Sequence, residues 1–325
     1  MNPRHEHREL ASRITIRSRG LSRYASWCGR LLALALVVSG LPGLAVEPEA
    51  PLEWEAKTDG ALGKALFSFW IPQKESLPLA VVVLLPGLQG DGRDMVKDPA
   101  WQNLARKYRL ALLGCYLTDG RTIYYQVAKG DQGRVFFDAL RTFGGLIGQA
   151  AGLEKRPLLI WGISAGGQYA YNFACLHPEA VMAFAVNKGG YYDDVGKQGV
   201  LKIPAIFFYG ETDQGFRIQA ITSRFAVGRR LGAPWCLVGE PNTGHAIGAS
   251  VRLSVEFFDA VLSASASAKE ATPPVGDSFW LGDLKTQEIF SSGSSRARQE
   301  SELTSWLPSR RFAEIWQEAV MGKPR

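Results

Sequence analysis

A serine between two glycines, in the sequence Gly-Ile-Ser-Ala-Gly at residues 162–166, has the residue types and the spacing for nucleophilic catalysis. The apolar run Leu158–Ile163 precedes it and predicts a strand, and the residues from Ala165 onward predict a helix. A serine on so sharp a strand-to-helix turn is exposed above the end of the sheet. Gly162 and Gly166 fit this geometry, because a Cβ at either position would collide with the neighbouring strand or helix. We therefore predict that Ser164 is a nucleophile; the alternative is a tight turn that happens to hold a serine.

A serine hydroxyl needs a base within hydrogen-bond reach, and the chain has four histidines. His5 and His7 lie in an N-terminal leader. His177 ends the helix that follows Ser164, which carries it roughly 20 Å away at about 1.5 Å per residue, and we expect it to cap that helix. His245 lies in a glycine-containing loop directly after the last predicted strand. It is the predicted base, and the alternative is a solvated loop histidine.

The base needs an acid that fixes its tautomer and stabilises the imidazolium. Asp213 lies in the loop Gly-Glu-Thr-Asp that leaves a predicted strand, at the same edge of the sheet as the serine. Glu211 is its rival in that loop, and Glu240 and Asp194 are weaker candidates. Asp213 has a structural alternative, which is to cap the helix that begins near Phe216. The order serine, aspartate, histidine along the chain differs from the orders in chymotrypsin and subtilisin.

An oxyanion that forms at the serine requires two N–H donors. The N–H of Ala165, at the start of the helix, is one candidate. The glycine-rich loop Leu85–Gly92 follows a buried strand and is placed to supply the other. Leu88 is our choice within this loop and Gln89 is the alternate, because the adjacent glycines let the backbone curl over the serine.

Strand and helix signals alternate from about Ala61 to Gly244, which predicts an α/β fold with a mostly parallel central sheet and helices on both faces. The predicted strands are Ala65–Ile71, Leu79–Leu85, Leu110–Tyr116, the run before Ser164, Val181–Val186, Ile203–Tyr209 and Trp235–Gly239. The predicted helices begin at Asp98, Asp131, Ala165, Phe216 and Ala249 and end near Tyr108, Gly152, His177, Leu231 and Leu262.

Only about 17 residues separate the strands that end at Val186 and begin at Ile203. No large lid domain fits in this interval, which is where many proteins of this architecture insert one. We expect an open, shallow site, with the aromatic residues of nearby loops lining it: Tyr124, Tyr125, Tyr191 and Tyr192.

Residues 1–45 are predicted to be a signal peptide, because an arginine-rich segment precedes the short apolar run Leu31–Val38. Cleavage is expected near Ala45 and Val46, which implies a secreted or periplasmic protein; an uncleaved anchor is the alternative. The predicted catalytic domain spans residues 46–264, followed by a linker at 265–278 and a short C-terminal extension at 279–325. Three tryptophans of the extension are expected to pack it as a strap onto the body, with carbohydrate stacking as the alternative: Trp280, Trp306 and Trp316.

The net charge of +6 does not indicate a nucleic-acid partner, since seven arginines and two glutamates in the leader account for most of it. A hydrophobic content of 46% is ample for a large core. After removal of the leader three cysteines are left, Cys115, Cys175 and Cys236, each in an apolar pattern typical of a buried thiol. They permit at most one disulfide. No cluster has metal-ligand spacing, and we expect neither a metal nor another cofactor, and no stable membrane span.

These motifs identify a resemblance to the α/β-hydrolase superfamily over roughly Leu52–Ser263. The segments Gly-Ile-Ser-Ala-Gly-Gly-Gln-Tyr, Leu-Pro-Gly-Leu-Gln-Gly and Gly-Glu-Thr-Asp resemble secreted esterases related to poly(3-hydroxybutyrate) depolymerases, feruloyl and acetylxylan esterases and dienelactone hydrolases. The resemblance implies a cofactor-free esterase with a triad of Ser164, Asp213 and His245. Many relatives have His-Gly where this chain has Pro-Gly at residues 86 and 87. Dienelactone hydrolases carry a cysteine in place of the serine, which argues against that activity.

The expected function is hydrolysis of carboxylic esters through an acyl-enzyme, on plant-polymer, aryl or polyester-type substrates. Two alternatives remain open at this stage. The first is a serine peptidase of the prolyl-oligopeptidase type, although only about 20 residues separate the leader from the first predicted strand and leave no room for a propeller domain. The second is a binding protein that keeps the fold without turnover.

Overall fold

A mixed β-sheet forms the centre of the part of the chain that the computed structural model describes, which is residues 50–58, 63–73, 76–118, 131–148, 152–192, 198–267, 279–298 and 301–323. Within these ranges the sheet has eight strands: β1 (Leu52–Ala56), β2 (Lys64–Trp70), β3 (Val81–Leu85), β4 (Ala111–Thr118), β5 (Leu158–Ile163), β6 (Val181–Asn187), β7 (Ala205–Gly210) and β8 (Trp235–Glu240). Their order is β1-β2-β4-β3-β5-β6-β7-β8. Strand β2 runs antiparallel to both β1 and β4, and the pairs from β4 to β8 are parallel.

Helices cover both faces of this sheet, as predicted. Those of the described residues are α1 (Pro99–Tyr108), α2 (Asp131–Leu146), α3 (Ala165–Leu176), α4 (Gly215–Arg230), α5 (Ser250–Ser267) and α6 (Arg310–Val320). Side chains of a strand point alternately to the two faces, so Val81 and Val83 of β3 pack with α2 and α3, whereas Val82 and Leu84 pack with α1 and α5. Strand order, direction and helix placement are those of the α/β-hydrolase fold.

Two helix ends and one strand differ from the prediction. Helix α2 ends at Leu146 rather than Gly152, because Gly148 takes a left-handed conformation with φ 73° that stops a helix. Helix α5 continues through Ser267, past Leu262 and into the first three residues of the predicted linker. Alanine favours a helix, and the Ser265 hydroxyl finds a partner within the helix by donating to the Val261 carbonyl at 3.0 Å. Strand β1 was not predicted, although its apolar and polar residues alternate.

The C-terminal segment contains a small antiparallel sheet that sequence patterns did not predict. Its strands are β9 (Trp280–Asp283), β10 (Ile289–Ser291) and β11 (Thr304–Leu307), in the order β10-β9-β11. Two side chains of the C-terminal segment contact β8. The hydroxyl of Ser305, on β11, accepts the N–H of Leu237 at 2.9 Å and donates to its carbonyl at 3.1 Å, and Nε1 of Trp316, on α6, donates to the same carbonyl at 2.7 Å. Trp306 and Trp316 are buried and are not available to stack on a carbohydrate.

Several expectations concern residues that lie outside the described ranges. These are the signal peptide, Tyr124, Tyr125, Asp194 and most of the predicted linker. Cys115, Cys175 and Cys236 are buried, and none of them forms a disulfide within the described ranges. None of the helices in the described ranges combines the length and the apolar character that crossing a bilayer requires.

Candidate active site

The turn between β5 and α3 holds Ser164 in a strained conformation, with φ 55° and ψ −117°. Such a conformation costs of order 1–3 kcal/mol and persists only where the surroundings impose it. They do so here through close packing. A Cβ at Gly162 would lie 2.2 Å from the Gly166 carbonyl oxygen, and one at Gly166 would lie 2.5 Å from the carbonyl oxygen of Leu85. Both glycines are therefore needed for the turn, as predicted from the sequence.

The structure brings the three predicted residues together. His245 Nε2 lies 3.0 Å from Ser164 Oγ, and His245 Nδ1 lies 2.9 Å from Asp213 Oδ2. If Nδ1 carries the proton and donates it to the carboxylate, Nε2 is left to accept the serine hydroxyl proton. The residues meet because β5, β7 and β8 are parallel, so the loops that follow them emerge at one edge of the sheet.

Asp213 is well supported as the partner of His245. Its side chain is 2% exposed, and its second oxygen, Oδ1, accepts the N–H of Gln214 at 2.7 Å and lies 3.3 Å from Arg217 Nη1. Burial raises the pKa of this carboxyl, but the hydrogen bonds from His245 and Gln214 and the positive charges of His245 and Arg217 outweigh it and hold the pKa below its usual value. The residue that begins α4 as its N-cap is Gln214, not Asp213. Arg217 was not anticipated from the sequence.

The rival residues lie elsewhere. Glu211 is exposed, and Glu240 is buried in an ion pair with Lys188. His177 caps the C-terminal end of α3, as predicted, and its ring packs against Phe137 and Phe173. None of these three side chains takes part in the hydrogen bonds that join His245 to Ser164 and Asp213.

The loop that follows β3 passes beside the serine. A Cβ at Gly87 would lie 3.7 Å from the Cβ of Ser164, and the loop turns through a hydrogen bond from Gly90 N–H to the Gly87 carbonyl at 2.9 Å. Gln89 has φ 57°, a left-handed conformation that non-glycine residues seldom adopt. Ala165 is the first residue of α3, so its N–H has no partner within that helix. Leu88 and Ala165, with Gln89 as alternate, remain the predicted oxyanion donors.

Ser164 and His245 are both accessible to solvent. Ser164 is half-buried and His245 is exposed. Tyr191 is 68% exposed, and its ring lies 6.1 Å from that of Phe216, which follows Asp213 closely in the chain. Tyr192 does not line the cleft as predicted: its ring packs edge-on against the buried Tyr171, and burial raises the pKa of its hydroxyl.

A cavity of about 400 Å³ lies at the opposite edge of the sheet and contains none of the triad residues. Pro157 and Pro204, which line it, directly precede β5 and β7, so the cavity is at the amino ends of these strands.

Across the described ranges no three His, Cys, Asp or Glu side chains are grouped as a metal site requires.

No protein-family model matches the chain, and no curated protein is detectably similar to it in sequence. Several solved structures are similar in fold. A thermostable esterase matches with a TM-score of 0.45 and 16% identity over 59% of this chain, which spans 54% of that protein. Poly(aspartic acid) hydrolase-1 from Sphingomonas sp. KT-1 matches with a TM-score of 0.49 and 16% identity, covering 64% of this chain and 98% of the other. A poly(3-hydroxybutyrate) depolymerase from Bordetella parapertussis matches with a TM-score of 0.46 and 18% identity, covering 64% of this chain and 88% of the other. At these identities no residue's role is carried from one protein to another.

Proposed function

We propose that this protein is a serine carboxylic-ester hydrolase that acts through Ser164, His245 and Asp213. One observation carries the proposal: a single imidazole lies within hydrogen-bond distance of a strained serine hydroxyl on one side and of a buried carboxylate on the other. Three side chains from three separate loops meet in the arrangement that activates a serine.

In the proposed reaction His245 Nε2 takes the proton of Ser164 as the hydroxyl oxygen attacks the ester carbonyl. Asp213 stabilises the imidazolium that forms. The N–H groups of Ala165 and of Leu88 or Gln89 hold the oxyanion of the tetrahedral intermediate. The intermediate collapses, the bond to the alcohol breaks, and the alcohol leaves with the proton from His245. Water, deprotonated by the same histidine, then hydrolyses the acyl-enzyme and frees the acid.

A serine-directed fluorophosphonate tests this proposal directly. It should label the purified protein at one site per molecule, and Ser164→Ala should abolish both the labelling and the turnover of p-nitrophenyl acetate. Ser223→Ala provides a matched control, because Ser223 is an exposed serine on α4, and this variant should behave as wild type. Undiminished turnover by Ser164→Ala would exclude the proposal. A well-folded protein that is neither labelled nor active would instead be a hydrolase-shaped binding protein.

The substrate class is proposed as plant-polymer, aryl or polyester-type esters. The exposed aromatic pair of Tyr191 and Phe216 beside the triad supports esters with a bulky apolar part. Acetylated xylan, feruloyl esters and short polyhydroxyalkanoates are the substrates to compare. Hydrolysis of peptide amides without hydrolysis of these esters would favour the peptidase instead.

The protein is proposed to be secreted or periplasmic. The arginine-rich leader with its short apolar run supports export with cleavage near Ala45 and Val46. N-terminal sequencing of the protein recovered outside the cytoplasm should begin near Val46. A chain that keeps its leader and sediments with membranes would indicate an uncleaved anchor.

A further inference from the structure

A buried ion pair lies directly behind the proposed triad. Lys188 follows β6, has a left-handed φ of 54° and is completely buried. Its ammonium contacts Oε2 of Glu240, the last residue of β8, which is 5% exposed. No charge of this pair faces solvent, and neither residue belongs to the triad.

The pair is also hydrogen-bonded to the segment that follows His245. The second carboxylate oxygen of Glu240, Oε1, accepts the N–H of Ala249 at 2.6 Å. Lys188 Nζ donates to Asn187 Oδ1 at 3.0 Å, and Asn187 Nδ2 donates to the Ile247 carbonyl at 3.2 Å and to the Ser250 hydroxyl at 2.7 Å. These bonds attach the loop at residues 247–250 to the ends of β6 and β8.

The same group of residues reaches the nucleophile. The backbone carbonyl of Asn187 accepts the N–H of Ser164 at 2.7 Å. Asn187 therefore contacts the serine through its backbone and the histidine loop through its side chain. Asn187 thus connects the backbone of Ser164 to the segment that follows His245, and this connection does not involve the side chain of either catalytic residue.

The loop is shaped to fit the carboxylate. Gly248 has a left-handed φ of 58°, and a Cβ there would lie 2.3 Å from Glu240 Oε1. Only glycine lets the backbone lie so close to this oxygen. A buried ion pair loses much of its attraction to desolvation and is weak evidence for stability, which favours a geometric role for this one.

We propose that Lys188, Glu240 and Asn187 are positioning residues that hold the segment 245–250 so that His245 Nε2 stays within reach of Ser164 Oγ. This inference rests on the proposed hydrolase function. The ammonium fixes the Glu240 carboxylate, the carboxylate fixes Ala249, and Asn187 fixes Ile247 and Ser250 relative to the serine.

The first test compares Glu240→Gln and Lys188→Met with wild type on p-nitrophenyl acetate, with kcat expressed per site titrated by a fluorophosphonate. A misplacement of about 1 Å at a catalytic group costs up to about a hundredfold in rate, so we expect kcat to fall by at least about tenfold in each variant while KM changes less than about twofold. Arg229→Met is the matched control. Arg229 is a buried cation that bonds the carbonyls of Ala233 and Thr304, next to the C-terminal sheet, and its loss should lower the unfolding temperature and leave kcat per titrated site unchanged.

The second test leaves the ion pair intact. Gly248→Ala places a methyl group against the Glu240 carboxylate and forces the loop away, so kcat per titrated site should fall in the folded protein as it does in Glu240→Gln. Gly293→Ala is its control, because nothing lies within 4 Å of a Cβ at that position.

Wild-type kcat per titrated site in both Glu240→Gln and Gly248→Ala would overturn the inference, as would an equal loss in Arg229→Met. If Glu240→Gln does not fold, Gly248→Ala decides alone. Failure of the proposed function itself is recognised separately, because Ser164→Ala would then retain turnover.

Discussion

Arg217 Nη1 lies 3.3 Å from Asp213 Oδ1, the carboxylate oxygen that does not bond His245. Arg217 lies in the first turn of α4, four residues after Asp213, so the helix presents the guanidinium to the acid that precedes it. The guanidinium also lies over the ring of Phe216, 4.7 Å from its centroid. Arg217 thus joins the proposed catalytic acid to the exposed aromatic residues beside it.

Replacing Arg217 should make the enzyme more sensitive to acid. Arg217→Met removes one of the positive charges that lower the pKa of Asp213, so the carboxylate will take up a proton at a higher pH than in wild type. Because a partly exposed ion pair contributes at most about 1 kcal/mol, we expect kcat near neutral pH to fall only about threefold. The measurement is kcat against pH for both proteins. Arg230→Met, at the far end of α4, is the control, and a profile for Arg217→Met that superposes on its profile would contradict the prediction.

The stability of the fold should depend on the ionisation of Asp213 in a defined direction. The folded-state pKa of this carboxyl lies below its usual value. The ionised group therefore stabilises the fold at pH values above its unfolded pKa of about 3.9, and this contribution is lost as the pH falls through the lower folded-state pKa. The difference in unfolding free energy between wild type and Asp213→Asn should therefore shrink as the pH falls from about 5 to below about 4. Denaturant titrations at a series of pH values measure it; a difference that does not change down to pH 2.5 would show that the charge is not the source.

Gly166 should not tolerate a side chain, whereas a glycine of α2 should. In Gly166→Ala the new methyl group meets two backbone carbonyl oxygens at 2.5 Å, those of Leu85 and Pro86, which cannot rotate away. We expect a loss of at least about 2 kcal/mol in unfolding free energy and of fluorophosphonate labelling. Gly145 has nothing within 4 Å of its Cβ position, and Gly145→Ala should be neutral or stabilise by up to about 1 kcal/mol. Thermal unfolding and fluorophosphonate labelling of the two variants test this prediction. Equal stability and equal labelling of Gly166→Ala and Gly145→Ala would contradict it.

The C-terminal sheet should contribute to stability and not to catalysis. Trp316 is fully buried and lies so close to Gly282 that a Cβ there would be 2.5 Å from the indole ring. Trp316→Ala should cost about 3–5 kcal/mol and leave kcat per titrated site unchanged. Trp280 is only partly buried, so Trp280→Ala should cost clearly less. A fall in kcat without a fall in unfolding temperature would assign the segment a role at the active site.

The meeting of Ser164, Asp213 and His245 could be predicted from the sequence because each side chain is placed by local rules. A serine on a strand-to-helix turn can be recognised in a few residues, and so can an aspartate and a histidine in loops after parallel strands. Strand direction alone then brings the three residues to one edge of the sheet. Strands β3 and β5 could also be predicted locally, because a strand that is buried on both faces shows as a continuous apolar run.

What was missed depends on contacts between distant segments. Strands β9, β10 and β11 have three or four residues each, too few to show a period, and they exist because they pair with one another. Lys188 and Glu240 are 52 positions apart, and a lysine after a strand is normally solvated, so nothing local indicates that both are buried. Arg217 had a detectable signal, since it follows Asp213 by four residues on a predicted helix.

Strand β8 is the outermost strand of the large sheet, and such a strand offers unpaired N–H and carbonyl groups to any other chain. At Leu237 both groups are occupied by the Ser305 hydroxyl, and the indole of Trp316 adds a second bond to the carbonyl. A side chain that satisfies backbone groups in this way ends the sheet without extending it. The C-terminal segment therefore protects the protein against edge-to-edge association, and a chain cut after α5 would be expected to aggregate at concentrations where the full chain stays monodisperse.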